Sequence, residues 1–406
     1  MQRYRNSGQT IRAIDALAAI TGNVGIPGGG ANYAHGYHKF IFGDVAGEEL
    51  AHSRRYFVMA RLGEEILEAN DPPVRAIFVT RSNPITQSPR TSKVVQAFRK
   101  VPFKVVVDLF MTDTVEEADL VLPCTTFLED TDIIVNSAHF FVGLAQKVVE
   151  PVGESRPEHW IFAELARRLG LEGFGNHDTE GWLKFALDCG HKHAISLERL
   201  RAGVVPNPLA ETVAWADRKF PTPSGKIEVY SRLAAADGLD SLPVFHKLDD
   251  GWLDDDNGAG AKGCGDASAD TDANDALHAE ASPGADTCDY PLYLITPHHR
   301  DFIHSQFWNL RHIGESPSVE IHPDVARKLG FAEGDRVTIQ SPQGCLTGVA
   351  HLSERLHLAV VQVHQGRWLK QGGGVNLLTD DKVSDMGLGA AYYDCRCRVV
   401  SADGGE

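Results

Sequence analysis

The residues with the most chemical potential in this 406-residue chain fall at the ends of short apolar runs. RAIFVT leads into Arg81, Ser82 and Asn83, and FKVVVD ends at Asp108, with Val107 beside it. A carboxylate there can accept two hydrogen bonds, from a ribose diol or from the adjacent N–H donors of a guanine edge, and an Asn can both donate and accept. An aspartate after a β-run also serves simply as a turn or capping residue. A third cluster, TPHHRDFIHS, brings Thr296, His298, His299, Arg300, His304 and Ser305 together. Its histidines suggest a metal, but no carboxylate or cysteine completes a standard ligand pattern. Arg and His suit directed donation to anionic oxygen, such as a pyrophosphate, better. The stretch GIPGGG is neither a GxGxxG fingerprint nor a P-loop; it reads as a backbone cradle for a ligand or as a plain turn. No GxSxG elbow supports a hydrolase triad.

These residues need elements to hold them. Apolar spacing predicts a helix over residues 9–22, capped by Asn6 or Ser7 and ended by Gly22; Pro27 and the glycines after it stop any continuation. Between residues 50 and 150, helical ARLGEEILEA, TSKVVQAFRK and TVEEAD alternate with strand-like RAIFVT, FKVVVD and LVLP. That alternation indicates βαβ units and a parallel sheet, whose ligands bind beyond the carboxyl ends of the strands. Residues 157–170 form a further helix, with Pro157 at its start. Residues 248–289 are rich in Asp, Ala and Gly and poor in large apolar side chains, so they read as a disordered or loosely held acidic insertion. Beyond it, YPLYLIT, RVTIQSP, CLTGVAHLS and LAVVQVHQG are strand-like, with one helix in VEIHPDVARKLGF, which fits a compact β-barrel. Three regions are expected: α/β domains over 1–247, the insertion over 248–289 and a barrel over 290–406.

The formal net charge of −16 argues against duplex nucleic acid as a partner, because such binding uses Lys and Arg to neutralise phosphates. An anionic cofactor needs only local amides and a few placed cations. No run approaches the ~20 apolar residues of a membrane span, and the N-terminus carries no secretory signal. The chain opens directly into a helix pattern, as though inside a domain. The compartment is therefore open: cytoplasmic or, with an export signal on an upstream segment, periplasmic. The seven cysteines, Cys124, Cys189, Cys264, Cys288, Cys345, Cys395 and Cys397, form no CxxC pair, and are expected to be reduced, buried thiols. Cys395 and Cys397 share one face of a strand.

Taken together, the segments resemble one family. MQRYRNSGQTIRAIDALAAITGNVGIPGGGANY is similar to the stretch after the second pterin-binding element of molybdopterin oxidoreductases of the dimethyl sulfoxide reductase family. IFVTRSNP followed by VVVDLFMTDTVEEADLVLPCTTFLED resembles their strand–Asn-Pro, strand–Asp and Ala-Asp-Leu-Val-Leu-Pro series. PVGESRPEHWIFAELARRLG and FPTPSGKIEVYS match the next segments. PSVEIHPDVARKLGFAEGDRVTIQSPQG and GVNLLTDDKVSDMGLGAAYYDCRCRVV resemble the C-terminal dinucleotide-binding barrel.

The resemblance implies a partial Rossmann-like parallel-sheet domain followed by a double-psi β-barrel. It implies molybdenum or tungsten held by two pterin guanine dinucleotides, performing two-electron redox on a small substrate, as in anaerobic respiration. Gln2 looks like the family's pterin-contacting Gln. Asn83, Val107 and Asp108 look like guanosine contacts, and Glu158 matches a nucleotide-holding carboxylate. Thr296 to Ser305, including Arg300, looks like the loop that crosses both pterins. Asn376, Tyr393 and Asp394 match positions near a pterin. Where some relatives carry a cofactor-binding Lys this chain has Asp130, which cannot play a cationic part. The family's metal ligand and its cysteine cluster for a four-iron–four-sulfur centre lie upstream of the matching segment, so no residue here is named as a metal ligand or catalytic group. This polypeptide alone is expected to be inactive, and its expected partners are a polypeptide supplying the missing half or an iron–sulfur electron-transfer subunit. A second implied reading is a structural or electron-relay subunit without molybdopterin, like the large subunit of NADH–quinone oxidoreductase.

Overall fold

The computed structural model describes residues 2–31, 33, 42, 54–171, 178–189, 195–208, 210–244, 289–309 and 316–402. Helix α1 (Ser7–Ile20) opens the chain. The expected side-chain cap from Asn6 is absent. Asp385, far along the sequence, takes its place and accepts from the backbone of Gly8 at 2.7 Å and Gln9 at 3.0 Å. The carboxylate thereby satisfies N–H groups that the helix itself leaves open and sits at the positive end of its dipole.

The alternating region folds as α2 (Leu62–Glu68), β1 (Ala76–Thr80), α3 (Pro84–Gln87), α4 (Thr91–Lys100), β2 (Phe103–Asp108), α5 (Asp113–Glu116) and β3 (Leu120–Pro123). The three strands form one parallel sheet in the order β1-β2-β3. Register runs Thr80 to Val107 to Leu122, so the strand ends are level. β2 is the central, β-branched strand, and Val106 packs with Val94, Val95 and Phe98 of α4 against Val79 and Ile85. Those α4 residues are spaced to share one helix face, which is why the helix was legible.

A second, antiparallel sheet joins β4 (Asp132–Ile134), β5 (Phe141–Ala145) and β6 (Val205–Pro206). Around it lie α6 (Glu158–Arg168), α7 (Thr179–Cys189), α8 (Leu197–Ala202) and α9 (Arg232–Ala236). Its core is Ile133, Val142, Leu183, Leu187, Leu197, Leu200 and Val205.

The remaining strands, β7 (Leu292–Ile295), β8 (Ser318–Ile321), β9 (Arg336–Ser341), β10 (Gly344–Leu352), β11 (Val360–Gln362) and β12 (Cys395–Ser401), close into a barrel in the order β10-β8-β11-β7-β12-β9, with α10 (Pro323–Leu329) between β8 and β9. Closure leaves no edge strand to protect. Leu294, Ile321, Val337, Ile339 and Val361 are fully buried inside it, joined by Cys395 and Cys397 as expected for residues two apart on a strand. Cys124 and Cys345 are only partly buried, against expectation. Most of the acidic insertion, with Cys264 and Cys288, lies outside the described residues. No described helix is long and apolar enough to cross a membrane.

Candidate functional site

One half of the site is built at the carboxyl ends of β1, β2 and β3. Arg81 follows β1 with a left-handed backbone (φ 51°), which turns the chain toward Ser82 and Asn83. Glu158, first residue of α6, accepts hydrogen bonds from the Thr80 hydroxyl and the Arg81 guanidinium. Asp108 ends β2 and accepts from the backbone N–H of Leu109 at 2.7 Å. Burial raises the Asp108 carboxyl above its ordinary value; the amides of Leu109 and Phe110 and the Thr112 hydroxyl oppose this, and the Glu158 charge adds to it. Cys124, just past β3, is pushed up to about 11 by burial and by the charges of Glu158 and Asp108. Asn83 is buried; its Oδ1 accepts from the Thr114 hydroxyl at 2.6 Å, while its amide nitrogen is enclosed without a partner.

The other half is the loop after β7. Trp308 Nε1 donates to the His304 carbonyl at 2.9 Å and Trp368 Nε1 to the Ser305 carbonyl at 2.8 Å, so two indoles staple the loop. Phe302 stacks on Trp308 beneath them. His304 has a left-handed backbone, and Gly366 lies so close that a Cβ there would sit 1.7 Å from the His304 carbonyl oxygen. Only glycine tolerates that approach. His298 and His304 meet edge to face at 4.7 Å between centroids. Burial lowers both imidazoles below their ordinary value; His304 and Arg3 add to the effect at His298, and Arg3 at His304. Arg3 comes from the N-terminal segment and donates to the Thr296 carbonyl at 3.1 Å and to Gln365 Oε1 at 2.8 Å.

The halves meet. Gln87 Nε2 donates to Ser305 Oγ at 3.0 Å, Tyr392 OH donates to the Gln87 carbonyl at 2.8 Å, and the Asn376 amide donates to the Thr86 and Gln87 carbonyls at 2.9 and 3.1 Å. Between them runs a cleft of about 620 Å³, lined by Thr80 and Ser82 from the sheet and by Arg3, His304, Gln365 and Asn376 from the barrel side.

The sequence-derived residues distribute unevenly about this cleft. His304 and Asn376 line it, and Ser305 and Thr296 are buried beside its lining. Asn83 lies between Ser82 and Pro84, both in the lining. Asp108 and Glu158 belong to the strand-end cluster outside the cleft lining, and Val107 is buried in β2, paired with Thr80 of β1. His299 packs on Phe302, Trp308 and His364 instead. Arg300 is exposed, with Asp301 at 3.8 Å. Gln2 is exposed and accepts from Tyr33 OH. Tyr393 and Asp394 bind the N-terminal segment: Tyr393 N–H donates to the Arg3 carbonyl, and Asp394 accepts from the Arg5 backbone. The GIPGGG loop packs under the Trp215 carbonyl, 2.5 Å from where a Cβ of Gly25 would stand, and is not part of the cleft lining.

Two family profiles match this chain. The molybdopterin oxidoreductase profile covers residues 1–168 and the molybdopterin dinucleotide-binding domain profile covers residues 292–396. A probable oxidoreductase of Bacillus subtilis, YyaE, is 37% identical over 97% of this chain and 56% of its own length. Trimethylamine-N-oxide reductase of Haemophilus influenzae is 26% identical over 98% of this chain and 54% of its own. The chain belongs to the molybdopterin oxidoreductase family. Acetylene hydratase from Pelobacter acetylenicus shares the fold, with a TM-score of 0.65 at 21% identity over 85% of this chain and 46% of that one. The chain spans about half the length of the curated relatives it matches.

The side chains present suit the cofactor class of a molybdopterin oxidoreductase. Asn83 Nδ2 and Thr296 Oγ1 are among the buried polar atoms with no partner among the described residues; leaving such a group unsatisfied costs about 1–3 kcal/mol, which a ligand's polar atoms would recover. Acceptors gather at the strand ends and donors on the barrel side, a pattern suited to a dinucleotide with a base at one end and anionic oxygens along its length. Sequence reasoning missed Arg3, Thr80, Cys124 and Gln365. Arg3 stands beside Gln2 in a motif already singled out, but nothing local marks it as a cleft residue.

Proposed function

We propose that this chain is the cofactor-binding portion of a molybdenum or tungsten bis(pterin guanine dinucleotide) oxidoreductase acting on a small substrate by two-electron redox. The observation that carries the reading is the cleft lined by Thr80 and Ser82 at the end of β1 and by His304 of the stapled loop. In this reading residues 1–247 are the later part of the family's α/β domains, with the parallel sheet Rossmann-like. Residues 248–289 are an acidic insertion, and residues 290–406 are a double-psi barrel. Asp108 and Glu158 accept hydrogen bonds from guanosine, Asn83 contributes its amide, and Thr296, His298 and His304 donate along the pterin and pyrophosphate. Gln2, Asn376, Tyr393 and Asp394 position the chain around the pterins. The bound metal supplies the redox chemistry; the protein binds and orients the cofactor. The substrate is a small molecule.

The test is chemical. Protein purified from its native host and hydrolysed in acid should release guanine nucleotide and an oxidised pterin in a 2:1 ratio to molybdenum or tungsten. Release of neither overturns the reading and favours the structural or electron-relay role.

A further inference from the structure

Gln365 occupies the junction of the barrel-side groups. Its Oε1 accepts from Arg3 Nη1 at 2.8 Å. A guanidinium only donates, so the amide must turn its oxygen to Arg3 and its NH2 group toward the histidines. That nitrogen stands 2.8 Å from His298 Nδ1, 3.2 Å from His298 Nε2 and 3.4 Å from His304 Nδ1. Each ring must therefore offer a lone pair, and an imidazolium has none to offer.

We propose that Gln365 is a positioning residue: held in one orientation by Arg3, it keeps His298 and His304 neutral and fixes the placement of His304 in the cleft and of His298 beside it. The next residue strengthens the case. Gly366 brings the backbone against the His304 carbonyl, so the separation between Gln365 and His304 is set by the main chain and not by a flexible side chain. Gln365 N–H also donates to the Pro297 carbonyl at 3.1 Å, which pins the same residue to the strand side of the loop. Burial first, and then, among the described residues, Arg3 and the neighbouring histidine act on the pair, and each lowers the imidazoles. A pair of neutral imidazoles next to a fixed guanidinium confines positive charge to one atom group, so a bound oxyanion meets one cation and directed N–H donors. This last consequence rests on the pterin-dinucleotide reading; the assignment of Gln365 does not.

The experiment uses the full chain labelled with 15N-histidine, titrated by long-range 1H–15N correlation, with His298→Asn and His304→Asn giving the assignments. In Gln365→Glu a carboxylate replaces the amide donor with an acceptor. The titration midpoints of His298 and His304 should both rise by about one pH unit or more. Gln365→Leu removes the donor without adding a charge, so both midpoints should also rise, by less than in Gln365→Glu, and the ring nitrogen shifts that report which nitrogen carries the proton should change; midpoints unchanged in Gln365→Leu overturn the proposal. Unchanged His298 and His304 titration in Gln365→Glu, with the barrel folded by circular dichroism, overturns the proposal. Guanosine 5′-diphosphate added to each variant tests the separate claim: no binding by the unsubstituted chain, with the histidine shifts as expected, removes the pterin reading and leaves the role of Gln365 intact.

Discussion

The barrel and the parallel sheet each present polar groups to the cleft, but from differently supported frames. Every barrel strand has two hydrogen-bonded neighbours, and its interior residues Leu294, Ile321 and Ile339 are fully buried. The parallel sheet has three strands, and its outer strands β1 and β3 leave Phe78 40% and Leu120 44% exposed. Parallel strands are ordinarily covered on both faces. The loop that carries His298 and His304 thus hangs from a closed frame and is stapled twice by tryptophan. The strand-end cluster depends on one ion-paired carboxylate, Glu158, and on helix starts. The lesson is that the donors of the site are pre-placed by packing, whereas the acceptors are placed by electrostatics.

Core truncation tests that difference most severely. Leu294→Ala should cost about 3–5 kcal/mol, the transfer term plus the cavity left in a closed barrel. Phe78→Ala, already partly solvated and resting on Phe162 at 5.5 Å, should cost less than about 1.5 kcal/mol. Urea unfolding followed by tryptophan fluorescence measures both. Equal losses would erase the distinction between the two frames.

Gly366→Ala probes the loop and not the barrel. The methyl group would meet the His304 carbonyl at 1.7 Å, at a φ of +94° that non-glycine residues rarely adopt. The chain must shift locally, and the expected loss is about 2–3 kcal/mol. Limited proteolysis should then cut within residues 298–308 before any barrel strand. A variant as protease-resistant as its parent would show that the loop is not held by this contact.

How much of this was legible in the sequence follows from the range of the interactions. Helix α4 and strand β2 announce themselves through local spacing, as in Val94, Val95 and Phe98 on one face and the run of valines at 105–107. The expected strand end at Asp108 is where β2 stops. Most barrel strands were readable as β-branched runs between turns. Strand β8 was not, because its four residues run straight into the helix that dominates the local pattern. Strands β4 and β6 are three and two residues long, too short for any period to show. Arg3 and Gln365 escaped for a different reason: their partnership spans 362 positions, and a single Arg or Gln carries no periodic signal. The cap on α1 is the same case, since Asp385 reaches Gly8 across 377 positions. His299 and Arg300 share the composition of the loop, yet one turns into an aromatic cluster and the other to solvent, a choice made by tertiary packing alone.

The smallest expected effect bears on how the sheet places its acceptors. Asp108 has its folded-state pKa raised, first by burial and also by Glu158. A carboxyl raised on folding contributes stability that is fully present below the ordinary value of 3.8 and lost as pH rises through the folded value. Near neutral pH the ionised Asp108 therefore works against the fold. Asp108→Asn should raise the urea midpoint modestly at neutral pH and bring no gain once the pH falls below the unfolded pKa. The same substitution replaces an acceptor-only group with one that turns an NH2 toward a guanine's own donors, so guanine-nucleotide affinity should fall. Stability and binding moving in opposite directions is the signature of a residue kept for recognition against the preference of the fold. If Asp108→Asn instead destabilises the chain at neutral pH, Asp108 is a structural acceptor for the Leu109 and Phe110 amides, and the acceptors of the sheet are held by packing as firmly as the donors of the barrel.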